Sequence, residues 1–271
     1  MIESQSYSLF PSYEYLWDPA NNNRGEFIFQ IQYGVNMDKV VGPNQKIVGS
    51  NEAVCVMLPT RSGMSAFNLE YGSLVPRKEF VESFAPGDKR VEEKQFFFTT
   101  YKGHPNKFAT GAPELEFMDF GGYYIHKFFD KQAIDVVGQS DLNWTIYRYA
   151  DVLLLYAEAQ VNADGAANSR ALDALNQIRT RAGLEPFTAT DKNSFEKAVW
   201  DQRYFELCYE NKMWFDILRT RLIRQDATGE YVPFIGYQSY NGKTYGETQL
   251  LFPIPLREMQ ANSNMQQNPG Y

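Results

Sequence analysis

Charged side chains are most concentrated near residues 203–221, where two carboxylates could in principle perform acid–base chemistry. Glu206 and Glu210 are four positions apart and would share one face of a helix. A glycosidase places its two carboxyl groups on either side of the scissile bond, about 5 Å or about 6.5–9.5 Å apart. Residues at this spacing would instead lie side by side without a cleft. Arg203 and Arg219 also favour the ionised form of both, so we expect ion pairing rather than catalysis.

Other patterns that carry chemistry are weak or missing in the sequence. The chain has two histidines, His104 and His126, and contains no HExxH, CxxC, GxGxxG or GxSxG motif. The two cysteines, Cys55 and Cys208, match no metal-binding spacing and are expected to be buried free thiols. We therefore predict neither a metal nor another cofactor.

Aromatic and amide side chains form the more promising candidate site. Aromatic residues make up 15% of the chain, which is a high fraction. We assign most of these additional aromatic residues to a large aromatic core. The rest can stack on sugar rings while amides and arginine bind hydroxyl groups. The segment 33–71 has this composition but no tryptophan, which argues against a starch-type platform. Its candidate ligand-binding residues are Tyr33, Asn36, Asn44, Arg61, Phe67, Asn68 and Tyr71.

Charge and hydropathy limit the partners of the chain. The net charge is −7 with a pI near 5.0, and no lysine- or arginine-rich run appears, so we do not expect nucleic-acid binding. No stretch approaches the roughly 20 apolar residues that span a bilayer. The N-terminus shows no secretory signal pattern.

The first half of the chain predicts few regular elements. Glycine and proline recur throughout residues 34–75, and residues 102–147 are aromatic without a regular pattern. Both segments are therefore expected to be long loops. Two elements are expected before the first loop, a helix from Ser12 and a strand over 26–33, and two between the loops, a helix over 76–84 and a strand over 92–101.

The second half changes to helical periodicity. A helix with an almost wholly apolar surface is expected over 147–163, and a second over 169–182 with Gly183 at its C′ position. Together they predict a tetratricopeptide-type hairpin, which must dock on neighbouring elements to bury its faces. A third helix is expected from about Ser194 to Leu218, with a bend allowed. An exposed loop is expected over 224–247.

The C-terminal 21 residues predict an ordered tail. Pro253 and Pro255 flank Ile254 and prevent a helix or a central strand there. A short helical turn over 257–261 and a final Asn-Pro-Gly turn then follow. We expect these residues to form an ordered apolar segment with a fixed end, which we call the C-terminal clip.

Four motifs follow one another in the second half of the chain. They are the helix R-Y-A-D-V-L-L-x-Y-A-E-A at 148–159, N-x-x-R-x-R-A-G-L at 176–184, the charged stretch at 203–219, and the LFPIP…QNPGY tail. Together they resemble the SusD/RagB family of nutrient-binding outer-membrane lipoproteins of Bacteroidetes. The charged stretch departs from the family pattern at Gln202, Asn211 and Met213. There the resemblance implies a structural ion network of Arg203, Glu206, Glu210, Asp216 and Arg219. Weaker matches are E-x-I-F-x-I-Q at 26–32 and Phe84, Asp88 and Arg90 of F-x-x-x-D-x-R.

The resemblance implies a mainly α, tetratricopeptide-like fold with long irregular loops and a few short strands. Residues 1–146 would be the loop-rich middle segment and 147–271 the C-terminal helical segment, together one continuous domain. The chain would begin where the second half of a longer protein begins. Met1 would then be an introduced start, and the signal peptide and acylated cysteine would lie outside the chain.

The implied function is non-catalytic binding of oligosaccharides at the cell surface. The ligand would pass to a SusC-like TonB-dependent transporter, with membrane attachment through a lipid anchor alone. In the family, part of the glycan site comes from loops that follow the E-x-I-F strand, which here is the segment 33–71. Three alternatives stay open: a RagB-like peptide-binding lipoprotein, a glycoside hydrolase that uses Glu206 and Glu210, and a helical scaffold that binds only proteins.

Overall fold

The computed structural model describes residues 2–33, 74–103, 115–130 and 140–271. The chain divides into two compact units, Met1–Glu210 and Asn211–Tyr271. The predicted middle and C-terminal segments, which meet at 146/147, are a division by family pattern and stay a prediction. Within the described ranges, the helices and strands agree with the mainly α fold class predicted from the sequence.

The first unit is built around a bundle of three helices. They are α2 (Tyr149–Asp164), α3 (Ser169–Arg181) and α4 (Lys192–Glu206), and α2 packs against both of the others. The predicted hairpin of α2 and α3 is confirmed. A short helix, α1 (Lys78–Glu82), covers only part of the predicted 76–84.

The ends of these helices show why the chain turns where it does. Gly183 has φ of +74°, and the Leu184 amide donates to the Arg179 carbonyl at 2.9 Å while the Gly183 amide donates to Thr180. This Schellman motif is the predicted C′ glycine. The Asp191 side chain accepts from the Ser194 amide and caps α4. The end of α3 is therefore set by a glycine turn and the start of α4 by a side-chain cap, and each satisfies free backbone groups at a helix end.

Two antiparallel strand pairs complete the first unit. β1 (Phe27–Ile31) pairs with β4 (Trp144–Arg148), and β2 (Phe97–Gly103) pairs with β3 (Leu115–Ile125). The prediction of an irregular 102–147 is wrong for the parts that form β3 and β4. The glycines at 121 and 122 weaken the strand signal, and pairing with β2 compensates for them. The helix expected from Ser12 is a 3₁₀ helix, Tyr13–Trp17.

Two cores support this unit. One is aromatic, with Tyr13, Trp17, Phe96, Phe97 and Phe128 among its buried members, so the expected aromatic core is confirmed. The other lies between the three helices and is made largely of alanine, leucine and valine. Cys208 is buried and free, as expected, and burial raises the pKa of its thiol to about 11. Cys55 lies outside the described residues.

The second unit contains α5 (Met213–Thr220), the hairpin of β5 (Leu222–Arg224) and β6 (Tyr231–Pro233), and α6 (Leu256–Ala261). The single helix expected through Leu218 is wrong, because Tyr209 and Asn211 adopt φ near +60° and separate α4 from α5. The loop expected over 224–247 is also wrong in part, because it contains β6.

The C-terminal clip is confirmed. The Gln267 amide accepts from the Ile254 backbone N–H at 2.8 Å and donates to the Ile254 carbonyl at 2.9 Å. The Asn268 side chain donates to the Phe252 carbonyl, and the Tyr271 hydroxyl donates to the Leu251 carbonyl. Side-chain amides thus replace the backbone pairing that the two prolines prevent.

Candidate functional site

Eight charged side chains meet in the interior of the first unit. Most come from the end of an element or from the turn beside one, so the fold brings together residues that are distant in sequence. Each side chain is buried and forms at least one salt bridge. The cations are Arg90, Lys127, Arg148 and Arg181, and the carboxylates are Glu26, Asp88, Glu206 and Glu210. With four charges of each sign, the cluster is formally neutral.

Arg148, the last residue of β4, is the centre of this cluster. Its Nε donates to Glu210 at 2.7 Å, and its Nη1 donates to Glu26 at 2.6 Å and to Glu206 at 2.8 Å. Its Nη2 donates to the Glu206 carbonyl and to the Glu210 carboxylate at 2.8 and 2.9 Å. All five guanidinium N–H groups are therefore used, which no other side chain can reproduce.

The Glu206 carboxylate is enclosed by donors. Arg148 and Arg181 donate to Oε1, while Arg90 and the Tyr13 hydroxyl donate to Oε2. Burial alone would raise the pKa of Glu206, but the nearby arginines outweigh it and hold this pKa well below its usual range. The carboxylate is thus kept ionised.

The glycosidase alternative fails in this setting, because Glu206 and Glu210 cannot act as acid and base. Glu206 is inaccessible to solvent and Glu210 is 5% exposed, so no sugar ring fits between them. Burial would raise the pKa of Glu210, yet Arg148 and Lys127 lower it. A general acid needs a carboxyl group that is protonated near neutral pH, and neither residue provides one.

Arg181, the last residue of α3, connects the helical hairpin to β1. Its guanidinium donates to both oxygens of Glu26, at 2.5 and 3.3 Å, and to Glu206 at 2.7 Å. Glu26 also accepts from the Phe10 amide at 3.0 Å. The guanidinium carbon lies 4.7 Å from the centre of the Tyr13 ring, so α3 is attached to the N-terminal segment by charge and by a cation–π contact.

Lys127 holds the turn after α4. Its Nζ donates to the carbonyls of Glu206 and Cys208 at 2.8 and 2.9 Å and to the Glu210 carboxylate at 2.7 Å. The ring of Phe96 lies 3.9 Å from the same nitrogen. Carbonyls at the C-terminal end of a helix carry partial negative charge, so this buried ammonium both caps α4 and neutralises Glu210.

The structure divides the five residues of the predicted ion network among three places. Glu206 and Glu210 lie in the buried cluster. Arg203 instead donates to Asp151 at 2.8 Å, which ties α4 to the first turn of α2. Asp216 and Arg219 form a local pair at 2.8 Å in the second unit. The role of all five as one structural network stays a prediction.

The network predicted from the sequence contains none of the cluster's four cations. Arg90, Arg148 and Arg181 each lie within a family motif identified in the sequence, so a signal existed, but nothing indicated that they meet. Arg90 forms a two-point ion pair with Asp88, at 2.9 and 2.6 Å. Lys127 had no sequence signal, because a lone lysine beside aromatic residues usually belongs to a solvated surface.

A second polar cluster fixes the end of β1, where the candidate saccharide-binding segment begins. The Tyr33 backbone amide donates to the Asn143 side chain at 2.9 Å, and Asn143 donates to Gln32 at 2.9 Å. Gln32 and Asn23 exchange two amide hydrogen bonds of 2.8 Å each, and Gln30 accepts from the Asn23 backbone at 2.7 Å. These amides position the backbone of Tyr33.

The other candidate ligand-binding residues, Asn36, Asn44, Arg61, Phe67, Asn68 and Tyr71, lie outside the described residues, as does His104. Across the described ranges, no three His, Cys, Asp or Glu side chains are grouped as a metal ion would require. None of the helices described is long and apolar enough to cross a membrane.

The fold defines a mainly α, tetratricopeptide-like protein, and its charged centre is buried and ion-paired. Comparison with known proteins is consistent with this class. The sequence model of the SusD family matches residues 25–271. The chain therefore belongs to the SusD family.

Individual relatives agree with this assignment. SusD-like protein P38 of Formosa agariphila is 28% identical over 260 residues, which cover 93% of this chain and 45% of the relative. A crystal structure of a SusD superfamily protein from Parabacteroides distasonis is 62% identical, with a TM-score of 0.91, and the match covers 100% of this chain and 55% of that one. This chain thus spans about half the length of these relatives.

A more distant structure shows the same fold. Surface glycan-binding protein A from Bacteroides thetaiotaomicron, in complex with laminarihexaose, is 21% identical with a TM-score of 0.67. The match covers 98% of this chain and 57% of that chain.

Proposed function

We propose that this protein binds oligosaccharides without cleaving them, as part of a lipid-anchored protein at the cell surface of a Bacteroidetes bacterium. Membership of the SusD family carries the proposal. The structure of a family-fold protein with laminarihexaose supports a saccharide as the ligand class. The acidic net charge suits a neutral ligand better than a polyanion.

We place the binding surface in the segment that follows β1. Its proposed contacts are Tyr33, Asn36, Asn44, Arg61, Phe67, Asn68 and Tyr71, whose aromatic rings and polar groups suit the two faces of a pyranose. The amide cluster at Asn23, Gln32 and Asn143 supports this placement, because it fixes the backbone where the segment begins. A binding loop on a rigid base loses less entropy when it binds.

The bound saccharide would pass to a SusC-like TonB-dependent transporter in the outer membrane. This partner is proposed from the family alone. Co-purification from detergent-solubilised outer membranes, with the anchored full-length protein as bait, tests it directly. Recovery of the protein without any transporter would contradict this part of the proposal.

A thermal-shift and calorimetry screen tests the binding function. Laminarihexaose and other neutral oligosaccharides would be added to this chain, and a true ligand at 100 times its Kd stabilises the folded state by about 2.7 kcal/mol. We expect Phe67→Ala and Tyr71→Ala to weaken binding about tenfold or more, because each removes a stacking face. Tyr240→Ala is the matched control, since Tyr240 is 85% exposed in the second unit.

The outcomes separate the alternatives. Equal binding by all three variants would refute the placement of the site but not the function. Binding of peptides with no response to any saccharide would favour a peptide-binding lipoprotein. Release of reducing sugar that survives Glu206→Gln would reveal catalysis elsewhere in the chain.

A further inference from the structure

The loop that follows β6 in the second unit is unusually rich in tyrosine. Residues 236–246, which we call the tyrosine loop, read Gly-Tyr-Gln-Ser-Tyr-Asn-Gly-Lys-Thr-Tyr-Gly. Eight of these 11 residues are tyrosine, glycine, serine or asparagine, the types that are enriched in the antigen-binding loops of antibodies. A tyrosine ring offers a large contact area and has few torsion angles to fix on binding. The tyrosine loop therefore has the composition of a recognition loop.

Hydrogen bonds hold the two arms of the tyrosine loop together. The Gly236 amide donates to the Tyr245 carbonyl at 2.8 Å, and the Tyr245 amide donates to the Tyr237 carbonyl at 3.0 Å. Nearer the tip, the Ser239 amide donates to the Lys243 carbonyl at 2.8 Å. The loop is thus an ordered hairpin before a partner arrives, so less conformational entropy is lost when it binds.

A tight turn closes the tip. The Gly242 amide donates to the Ser239 carbonyl at 2.9 Å, and Gly242 has φ of +79°. The Asn241 side chain accepts from the Ser239 hydroxyl at 2.5 Å and from the Lys243 amide at 3.3 Å. Tyr240, the second residue of this turn, is 85% exposed, the largest fraction among the large apolar and aromatic side chains in the described part of the chain. The turn therefore presents this ring outward.

The base of the loop is fixed to an aromatic cluster. The Tyr245 ring stacks on Phe234, with ring centres 4.7 Å apart and an angle of 26° between the planes. Phe234 is fully buried, and Trp214 packs against both rings with centres 5.7 and 6.4 Å away. The loop thus combines a rigid base with an exposed aromatic tip.

The shape of the tip indicates the kind of partner. Residues 240–244 are all exposed, so the tip is convex. Small ligands bind in concave sites that surround them, which this tip cannot provide. A convex tyrosine instead fits a pocket on another protein, as buried aromatic anchors do at protein interfaces. Lys243 is the only charged residue of the loop, so we expect an acidic group at the rim of that pocket.

We propose that the tyrosine loop is a protein-docking element that inserts Tyr240 into an apolar, acid-rimmed pocket of the TonB-dependent transporter. The identity of this partner rests on the proposed function, whereas the chemistry of the contact rests on the loop alone. A second copy of the chain fits less well, because both copies would carry a net charge of −7. The loop is separate in sequence from the proposed saccharide segment, which follows β1.

Photo-crosslinking of the full-length, lipid-anchored protein in its outer membrane tests the contact. Benzoylphenylalanine would replace Tyr240, and in the matched control it would replace Tyr15, a tyrosine of the first unit that is 42% exposed. Mass spectrometry after irradiation identifies the crosslinked protein. We expect a crosslink to the transporter from position 240 and none from position 15.

Recovery of the transporter with the solubilised protein gives a second readout. Tyr240→Ala should lower this recovery about tenfold or more, and Tyr240→Phe should lower it less because it keeps the ring. Lys243→Glu should also lower it, and high salt should reduce the difference from wild type. Thr244→Ala, an exposed position of the same loop, is the control and should have no effect. Each variant should keep Tm within about 2 °C of wild type, which excludes unfolding as the cause.

The outcomes separate this inference from the proposed function. Equal recovery of the transporter by wild type and Tyr240→Ala would overturn the inference and leave the transporter as the partner. Absence of the transporter from the wild-type sample would overturn both. A crosslink from position 240 to a second copy of the protein, or to a protein other than the transporter, would overturn the inference as well.

Discussion

Replacing Arg148 with methionine should destabilise the protein more than any exposed charge removal. The side chain is 2% exposed and all five of its N–H groups are used. Removing one partner of a buried ion pair costs about 3–5 kcal/mol, because the opposite charge is left buried and unpaired. At roughly 2–4 °C per kcal/mol for a chain of this size, we expect Tm to fall by roughly 6–20 °C.

Two further variants identify the cause. Arg170→Met removes a partner from an ion pair of 2.9 Å between side chains that are 67% and 76% exposed, and it should cost about 1 kcal/mol or less. Arg148→Lys keeps the charge but offers at most three donors, so its cost should lie between the other two. Urea unfolding at pH 7, followed by circular dichroism, measures all three.

Charge balance gives a second readout. Arg148→Met combined with Glu210→Gln leaves three buried charges of each sign, so the double variant should lose less stability than the sum of the single variants.

The dependence of stability on acid pH provides a third readout. The folded pKa values of Glu206 and Glu210 are lowered, so their contribution is complete above pH about 4.3 and is lost as pH falls through the folded values.

A loss below about 1 kcal/mol for Arg148→Met, equal to that of Arg170→Met, would refute the reasoning. It would mean that the cluster rearranges or admits water without cost. Strict additivity with Glu210→Gln would likewise show that the two residues do not interact.

Three further predictions concern pH, a turn and the tail. Burial lowers the pKa of His126 to about 4. Between pH 6.5 and pH 4 only the unfolded chain is protonated at this residue, so the free energy of unfolding should fall by about 1–3 kcal/mol. His126→Gln should make the free energy of unfolding, measured by urea titration, less dependent on pH in this range. Gly183→Ala should cost about 1–2 kcal/mol because φ is +74°; an unchanged melting temperature would contradict the turn. Gln267→Ala should speed hydrogen exchange at Ile254, whereas unchanged exchange would show that the clip does not depend on this amide.

Local patterns in the sequence predicted the helical hairpin well. The spacing of apolar residues in α2 and α3 and the glycine after Ala182 are properties of neighbouring residues, and the structure has them where they were expected. The clip around Ile254 was predictable for the same reason, since two nearby prolines remove backbone donors. The helices and the glycine turn depend on interactions within a few residues, whereas the amides that hold the clip lie 13 and 16 positions from Ile254 and Phe252.

The strands and the helix break were harder to predict. β4 is five residues long and is stabilised by pairing with β1, more than a hundred positions earlier. Tyr209 adopts a left-handed conformation, in a turn held by Lys127 through the carbonyl of Cys208. Tertiary contacts override local propensity in both places.

The sequence by itself determined the family and the helical framework, because motifs and periodicity survive as short patterns. It also placed charge at Glu206 and Glu210, but not the partners of that charge. Only the tertiary structure decided that Arg90, Arg148, Arg181 and Lys127 surround these carboxylates. The physical reason is that a buried charge requires an opposite charge at hydrogen-bonding distance, and chain folding rather than sequence spacing decides which residue supplies it.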